Sequence, residues 1–205
     1  IIQIYNPLDF EELGWGLKSE MKYSYQFPAD AKVFLYVGRW SNMKGVDLLL
    51  EVFNKVFKVY QNVYLVIISD IPNKGKKKIE KLSRNFIIIR PQGDIRKYYL
   101  IANAVVLPSK EESFPFVMLE AGFYKKLFIG TNTGGIGEFI ENGINGLLFE
   151  KDDKHGFQKI LESILENKIN YYTFGENLYR KVQSLPSLNE YVERILEIYI
   201  KLYKR

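Results

Sequence analysis

The chain has 205 residues, a formal net charge of +5 and no cysteine. That is enough chain for one sizeable core, and it leaves no disulfide, thiolate metal site or cysteine nucleophile. At 47% hydrophobic and 26% charged residues it has the balance of a water-soluble globular domain, and no apolar run approaches the roughly 20 residues needed to span a bilayer.

Six short runs carry the strand signal in chain order: VFLYV (33–37), VYLVII (63–68), FIII (86–89), AVVL (104–107), LFIG (127–130) and GLLF (146–149). Their hydrophobicity is continuous rather than alternating, which predicts strands buried on both faces, as in a parallel sheet. Helical-period segments lie between them. Residues 44–60 place Val46, Leu49, Leu50, Phe53, Val56, Phe57 and Tyr60 on one stripe. Asp94 reads as the N-cap of a helix running through Ile95 to Ala102. Pro115, with fixed φ and no N–H, suits the first position of another. After Phe149 the pattern is helical: one stripe over 157–165, a second helix over 171–183, and a last one opened by a Ser187/Glu190 capping box. The stripe of that last helix (Leu188, Val192, Ile195, Ile198, Tyr199, Leu202) needs a surface to pack against. The expected architecture is therefore a doubly wound, Rossmann-like α/β domain with a six-stranded parallel sheet and C-terminal helices.

In open α/β sheets ligands bind beyond the carboxyl ends of the strands, so the loops after the strands hold the chemistry. After the first strand comes GRWSNMKG: Gly38 permits a tight turn, with Arg39 at the strand end and Lys44 near a helix start. An Arg fork and a Lys point charge beside helix N–H groups suit a diphosphate, although Arg39 paired with a carboxylate and a solvated Lys44 is an equal alternative. After the fourth strand, LPSKEESFPFVMLEAGF carries Glu112 in a loop and Glu120 inside an apolar helix. A carboxylate among Phe116, Val117, Met118, Leu119, Ala121 and Phe123 must be paired or hydrogen-bonded. Facing the crevice, Glu120 can accept both hydroxyls of a ribose and Glu112 can reach a sugar hydroxyl. The N–H groups of Phe116, Val117 and Phe114 can hold a phosphate. Solvated surface carboxylates remain the alternative. The glycines of TNTGGIGEFI follow the fifth strand rather than the first, so they argue for a glycine turn that makes room for close approach of a ligand or helix, and against a dinucleotide fingerprint. His155, the single histidine, falls in the polar turn KDDKHG and reads as a solvated surface residue. The lysine cluster at Lys74–Lys78 reads as a solvated helix start, with lesser claims for an anionic membrane or nucleic acid.

Taken in order, GRWSNMKG, ANAVVLPSKEESFPFVMLEA and TNTGGIGEFIENGINGLLF, with YNPLD (5–9) ahead of them, resemble the carboxyl-terminal domain of retaining GT-B glycosyltransferases of family 4, the group 1 glycosyltransferases. The resemblance covers nearly the whole chain. It implies one domain over residues 1–205 that binds a nucleoside-diphosphate sugar, with 1–10 as interdomain linker and 187–204 as the helix that returns to brace the other domain. It further implies that Arg39 and Lys44 bind the donor diphosphate, that Glu112 contacts the transferred sugar and Glu120 the ribose, and that Gly38, Ser113, Phe114, Phe116 and Val117 complete the donor site. Arg39, Lys44 and Glu112 would be catalytic. The nucleobase would lie near Asp70–Ile71 and Arg90–Pro91. No metal or cofactor is implied, because cations and helix N–H groups stabilise the departing diphosphate. The implied partners are an acceptor-binding amino-terminal domain, in cis or in trans, and a saccharide or lipid acceptor; nucleic acid is not among them. The expected location is the cytoplasm, with membrane contact made through the other half. The sequence departs from the family pattern at ISDIPNK, at GFYKKLF and at the Ser-Phe-Pro after Glu112.

Competing expectations are a non-catalytic nucleotide-sugar-binding or assembly subunit, and a glycosidase with Glu112 and Glu120 as carboxylates ~5–9.5 Å apart. A nicotinamide-dependent oxidoreductase is disfavoured by the glycine placement.

Overall fold

The computed structural model describes residues 4–8 and 27–203. The expected linker therefore falls partly outside the described residues, as does position 204 of the last helix. Six parallel strands form one sheet in the order β3-β2-β1-β4-β5-β6: β1 (Lys32–Val37), β2 (Val63–Ile68), β3 (Phe86–Ile89), β4 (Ala104–Leu107), β5 (Leu127–Thr131) and β6 (Leu147–Phe149). The strands coincide with the six apolar runs to within one residue. The reason is burial on both faces: Phe34, Leu35 and Tyr36 of β1, and Val105 and Val106 of β4, are inaccessible to water.

Eight α-helices connect or follow the strands among the described residues: α1 (Val46–Val59), α2 (Asn73–Glu80), α3 (Arg96–Ile101), α4 (Phe116–Phe123), α5 (Gly134–Phe139), α6 (Lys154–Leu165), α7 (Tyr171–Gln183) and α8 (Leu188–Tyr203). Several starts differ from expectation for local reasons. Residues 42–44 form a 3-10 turn, and Gly45, left-handed at φ 69°, separates it from α1. A Cβ on Gly45 would collide with the Pro108 carbonyl, so the β1 and β4 loops touch there. Pro115 has extended backbone (ψ 129°) and is the N-cap of α4 rather than its first residue. Ile95 is the N-cap position of α3, yet the Asp94 carboxylate still accepts from the Arg96 amide at 2.9 Å.

The glycine segment 134–137 belongs to α5 and not to a simple turn. Asp153 caps α6 by accepting from the amides of His155 and Gly156, which leaves His155 exposed. The Ser187/Glu190 capping box forms as expected, with Ser187 N donating to Glu190 at 2.8 Å and Glu190 N to Ser187 Oγ at 3.3 Å.

Two glycines let α7 clamp α4. A Cβ on Gly122 would stand 2.6 Å from a Val182 methyl, and one on Gly175 would strike the Lys125 carbonyl. The helix carrying Glu120 is thereby fixed against the sheet. Helix α8 buries no residue, and Leu188, Val192 and Tyr199 of its stripe are exposed. No helix among the described residues is long and apolar enough to cross a membrane.

Candidate functional site

The strand order reverses direction between β1 and β4, which defines the switch-point crevice of a doubly wound sheet. The two loops singled out in the sequence leave the sheet on its two sides. Lys110 N donates to the Met43 carbonyl at 2.8 Å, so the loops are stitched together by backbone as well as by the Gly45–Pro108 contact.

Their side chains meet too. Lys44 Nζ donates to Glu112 Oε1 at 2.5 Å, and Ser109 Oγ donates to the same oxygen at 2.8 Å. The Glu112 side chain is 9% exposed and that of Lys44 20%, so the pair is sheltered but open to the crevice. Below it lies buried Tyr36, whose hydroxyl donates to the Arg39 carbonyl at 2.9 Å. Burial, and then the charge of Glu112, hold the Tyr36 phenol well above its ordinary range, so it stays a neutral donor. Gly38 is needed beneath that hydroxyl, since a Cβ there would stand 3.0 Å from it. Arg39 is exposed, and its guanidinium makes no hydrogen bond or ion pair among the described residues. Against the alternative posed for this loop, Arg39 has no carboxylate partner among the described residues, and Lys44 is paired with Glu112 rather than solvated.

The α4 N-terminus completes this group. Pro115 supplies no side-chain cap, and Met118 N is the first amide to reach back, to Pro115 at 3.1 Å. The amides of Phe116 and Val117 have no backbone acceptor among the described residues, so they are available to an anion. The Phe114 ring is held by Tyr5 (stacked, centroids 4.8 Å) and Phe139 (edge-on, 5.3 Å), and Ser113 is exposed. Helix α5 lies against this loop: Gly135 N donates to the Glu112 carbonyl at 3.2 Å, and a Cβ on Gly134 or Gly135 would strike the carbonyls of Glu112 or Ser113. The glycine cluster thus makes room for backbone, as close approach requires.

Glu120 stands apart from Glu112. It is half-buried on α4, and its Oε2 accepts from the Tyr99 hydroxyl of α3. Tyr99 is itself buried and stacks on Tyr124 at 5.2 Å. Burial raises the Glu120 carboxyl above its ordinary value, and the Tyr99 hydrogen bond opposes that rise. Glu120 is therefore paired, as an apolar surrounding demands, through a tyrosine that sequence spacing did not reveal. The two glutamates engage different partners, Lys44 and Ser109 for Glu112 and Tyr99 for Glu120. Asp70 and Arg90 are both exposed, at the ends of neighbouring strands β2 and β3, and no bond joins them. Beside them, the Ser69 hydroxyl is buried without a hydrogen-bond partner among the described residues. No group of three or more metal-ligating side chains occurs among the described residues.

Fold and crevice together define the class: a Rossmann-like domain of the kind that forms one half of a GT-B enzyme. The structure superposes on a glycosyltransferase from Rickettsia africae with a TM-score of 0.84 and 24% identity, over 100% of this chain and 57% of that one. It also superposes on Anabaena Alr3699/HepE in complex with UDP-glucose, with a TM-score of 0.78 and 19% identity, over 97% of this chain and 57% of that one. The family profile described as glycosyl transferases group 1 matches residues 18–181, and the chain belongs to that family. It is 28% identical over 167 residues to the uncharacterized glycosyltransferase MJ1178 of Methanocaldococcus jannaschii, covering 79% of this chain and 45% of the relative. It is 34% identical over 131 residues to a lipopolysaccharide 1,2-N-acetylglucosaminetransferase of Salmonella typhimurium, covering 57% of this chain and 34% of the relative. The chain thus spans less than half the length of these curated relatives.

Proposed function

We propose that this chain is the donor-binding half of a retaining, family 4 glycosyltransferase that moves a glycosyl group from a nucleoside-diphosphate sugar to a saccharide or lipid hydroxyl. The observation that carries the reading is the Lys44–Glu112 pair at the switch point, with exposed Arg39 and the free α4 amides beside it. Arg39, Lys44 and the amides of Phe116 and Val117 offer positive charge where a diphosphate leaving group gathers negative charge, which is where preorganised donors lower a barrier. Ser113 and Phe114, with Gly38, shape the same cradle. Glu112 is placed to accept from a hydroxyl of the transferred sugar. Glu120 has one oxygen bound by Tyr99 and the other for a ribose hydroxyl. The Asp70 and Arg90 loops would flank the base.

No divalent cation is required in this scheme, because the chain's own cations offset the charge that develops. The family resemblance and the UDP-glucose complex of the Anabaena protein support the nucleotide-sugar donor, and the Salmonella relative supports a saccharide acceptor. The acceptor and the remaining catalytic groups would come from an amino-terminal half, in cis or in trans, with residues 1–10 and 187–204 forming the connection. A thermal-shift panel of nucleoside diphosphates and their sugars tests the reading. One base and sugar should raise the melting temperature, and Arg39→Ala and Glu120→Ala should each reduce the shift. Undiminished binding by both variants would remove the site.

A nucleotide-sugar-binding or assembly subunit without activity of its own would present the same donor site. Pairing the chain with an amino-terminal domain and assaying transfer separates the two.

A further inference from the structure

The net charge of this protein has an address. Residues 70–90 hold seven of the 29 basic residues and two of the 24 acidic ones, a net of +5. That equals the charge of the whole chain, so the remaining 22 basic and 22 acidic residues cancel. Most of the excess sits on or just after α2. Lys74, Lys77, Lys78 and Lys81 recur at i, i+3, i+4 and i+7, which places them on one face, and all four are exposed. Gly75 and Ile79 are buried on the opposite face. The helix follows β2 and leads to the edge strand β3, so its lysine face looks outward at the border of the sheet.

That face is electrostatically unfinished. Of the four lysines only Lys78 has a carboxylate partner among the described residues, Asp47 at 2.5 Å. Like charges at these spacings destabilise a helix, and α2 has no side-chain hydrogen bond at its N-cap to offset them. Four lysines spread over about 10 Å of helix outrun a single diphosphate, which engages one or two cations. All four are flexible point charges with no Arg fork on the stripe, which suits a diffuse array of anions better than bidentate recognition of one phosphate. The face offers no aromatic ring for base stacking, and its one neighbouring amide is Asn73, a turn before Lys77.

We propose that the lysine face of α2 docks this domain on an anionic lipid bilayer, through headgroup charge and without insertion of the chain. Clusters of four or more lysines on a helix have this property, and each contributes roughly a five-fold gain in partition near an anionic surface. The surface also reaches the crevice. The Trp40 indole of the β1 loop rests on Gly75, on the other side of the same helix, where a Cβ would stand 2.8 Å from the ring. A docked α2 would hold the loop that carries Arg39 close to the bilayer.

Vesicle co-sedimentation tests the proposal with the full chain. Phosphatidylcholine vesicles containing roughly one-third phosphatidylglycerol should retain the protein, pure phosphatidylcholine should not, and salt of about 0.5 M should release it as the screening length contracts. Neutralising the three unpaired lysines together (K74Q, K77Q and K81Q) should weaken partition on the order of 100-fold. The scattered triple variant K58Q, K159Q and K201Q removes the same charge from exposed positions elsewhere and should lose far less. Equal retention by neutral vesicles, absence of retention, or equal loss in the two triple variants overturns the proposal. So does tighter binding to a duplex oligonucleotide than to vesicles at matched phosphate and salt, which would assign the face to nucleic acid. Circular dichroism spectra that overlay for the three proteins keep folding out of the comparison.

Discussion

Lys44 and Glu112 are 68 residues apart in the chain and joined Nζ to Oε1 at 2.5 Å across the switch point of the sheet. The pair places the one cation that faces this crevice from the 3-10 turn against the carboxylate of the opposite loop. A diphosphate entering the crevice must share Lys44 with Glu112 or take it. In the proposed donor complex the sugar hydroxyl would compensate Glu112 for what Lys44 gives to phosphate.

The consequence is a divergence between two variants. Lys44→Met should weaken binding of the cognate nucleoside diphosphate by about 10- to 100-fold, the range for a lost hydrogen bond to a charged group. Glu112→Gln should tighten binding of the same nucleoside diphosphate by about five-fold, because a competitor worth roughly 1 kcal/mol is gone, while weakening the nucleotide sugar relative to it. Titration calorimetry with both ligands reads the difference. If Glu112→Gln weakens both ligands equally, Glu112 does not compete with the diphosphate.

Tyr99 leads to a second expectation, in stability rather than binding. Burial raises the Glu120 carboxyl in the folded protein, so its charged form is disfavoured there. Between the ordinary value near 4.3 and the raised one, the folded state binds more protons than the unfolded state, and stability falls as pH rises through that window. Above the window the cost is fully present, and the Tyr99 hydroxyl limits it. Tyr99→Phe keeps the ring stack on Tyr124 but strips a hydrogen bond from a half-buried carboxylate. It should cost about 1.5–3 kcal/mol at pH 7, or roughly 3–10 °C, and distinctly less at pH 4. Equal losses at both values would mean that the hydroxyl does not act through Glu120.

The strands are legible in the sequence because burial on both faces writes a continuous apolar run, and the two loops that meet at the switch point are legible because they follow the first and fourth of those runs. What lay beyond reach was pairing across the fold. The sequence required a partner for Glu120 but did not name Tyr99, 21 residues earlier on a different helix. The alternative that pairs Arg39 with a carboxylate and leaves Lys44 solvated is reversed, since Lys44 meets Glu112. The expected glycine turn is the helix α5, where tertiary contact with the Glu112–Ser113 backbone prevails over the low helix propensity of Gly134, Gly135 and Gly137. Pro115 is the N-cap and not the expected first helical residue, since its ring fixes φ but leaves ψ to its surroundings.

Lys126 predicts a pH dependence of the opposite kind. Burial lowers its ammonium to about 8, and its Nζ donates to the Leu100 carbonyl at 2.9 Å, at the end of α3. From about 8 to the ordinary lysine value near 10.4 the unfolded chain holds a proton that the folded one has released. Stability from this group therefore rises with pH across that window, and below it the burial penalty is complete. Lys126→Met removes the charge and keeps the stem. Its stability relative to wild type should be most favourable at pH 7 and should decline by pH 10, read by urea unfolding at both values. A difference independent of pH would assign the effect to packing alone.

Substitutions at Gly143 and Gly135 separate conformational from steric cost. Gly143 has φ 82° and nothing within 4 Å of an added Cβ, so Gly143→Ala carries only the left-handed backbone penalty, about 1 kcal/mol. Gly135 does not require positive φ, yet its Cβ would strike the Ser113 carbonyl and press on the Phe114 ring. Relief requires the 112–114 loop to move, and overpacking of this kind costs about 1–3 kcal/mol. Both variants should melt lower than wild type, Gly135→Ala by roughly 2–12 °C. Only Gly135→Ala should also weaken nucleoside-diphosphate binding, because only it displaces the backbone that holds Glu112 against Lys44. If Gly143→Ala weakens binding equally, the loss tracks global stability and the loop is not the route.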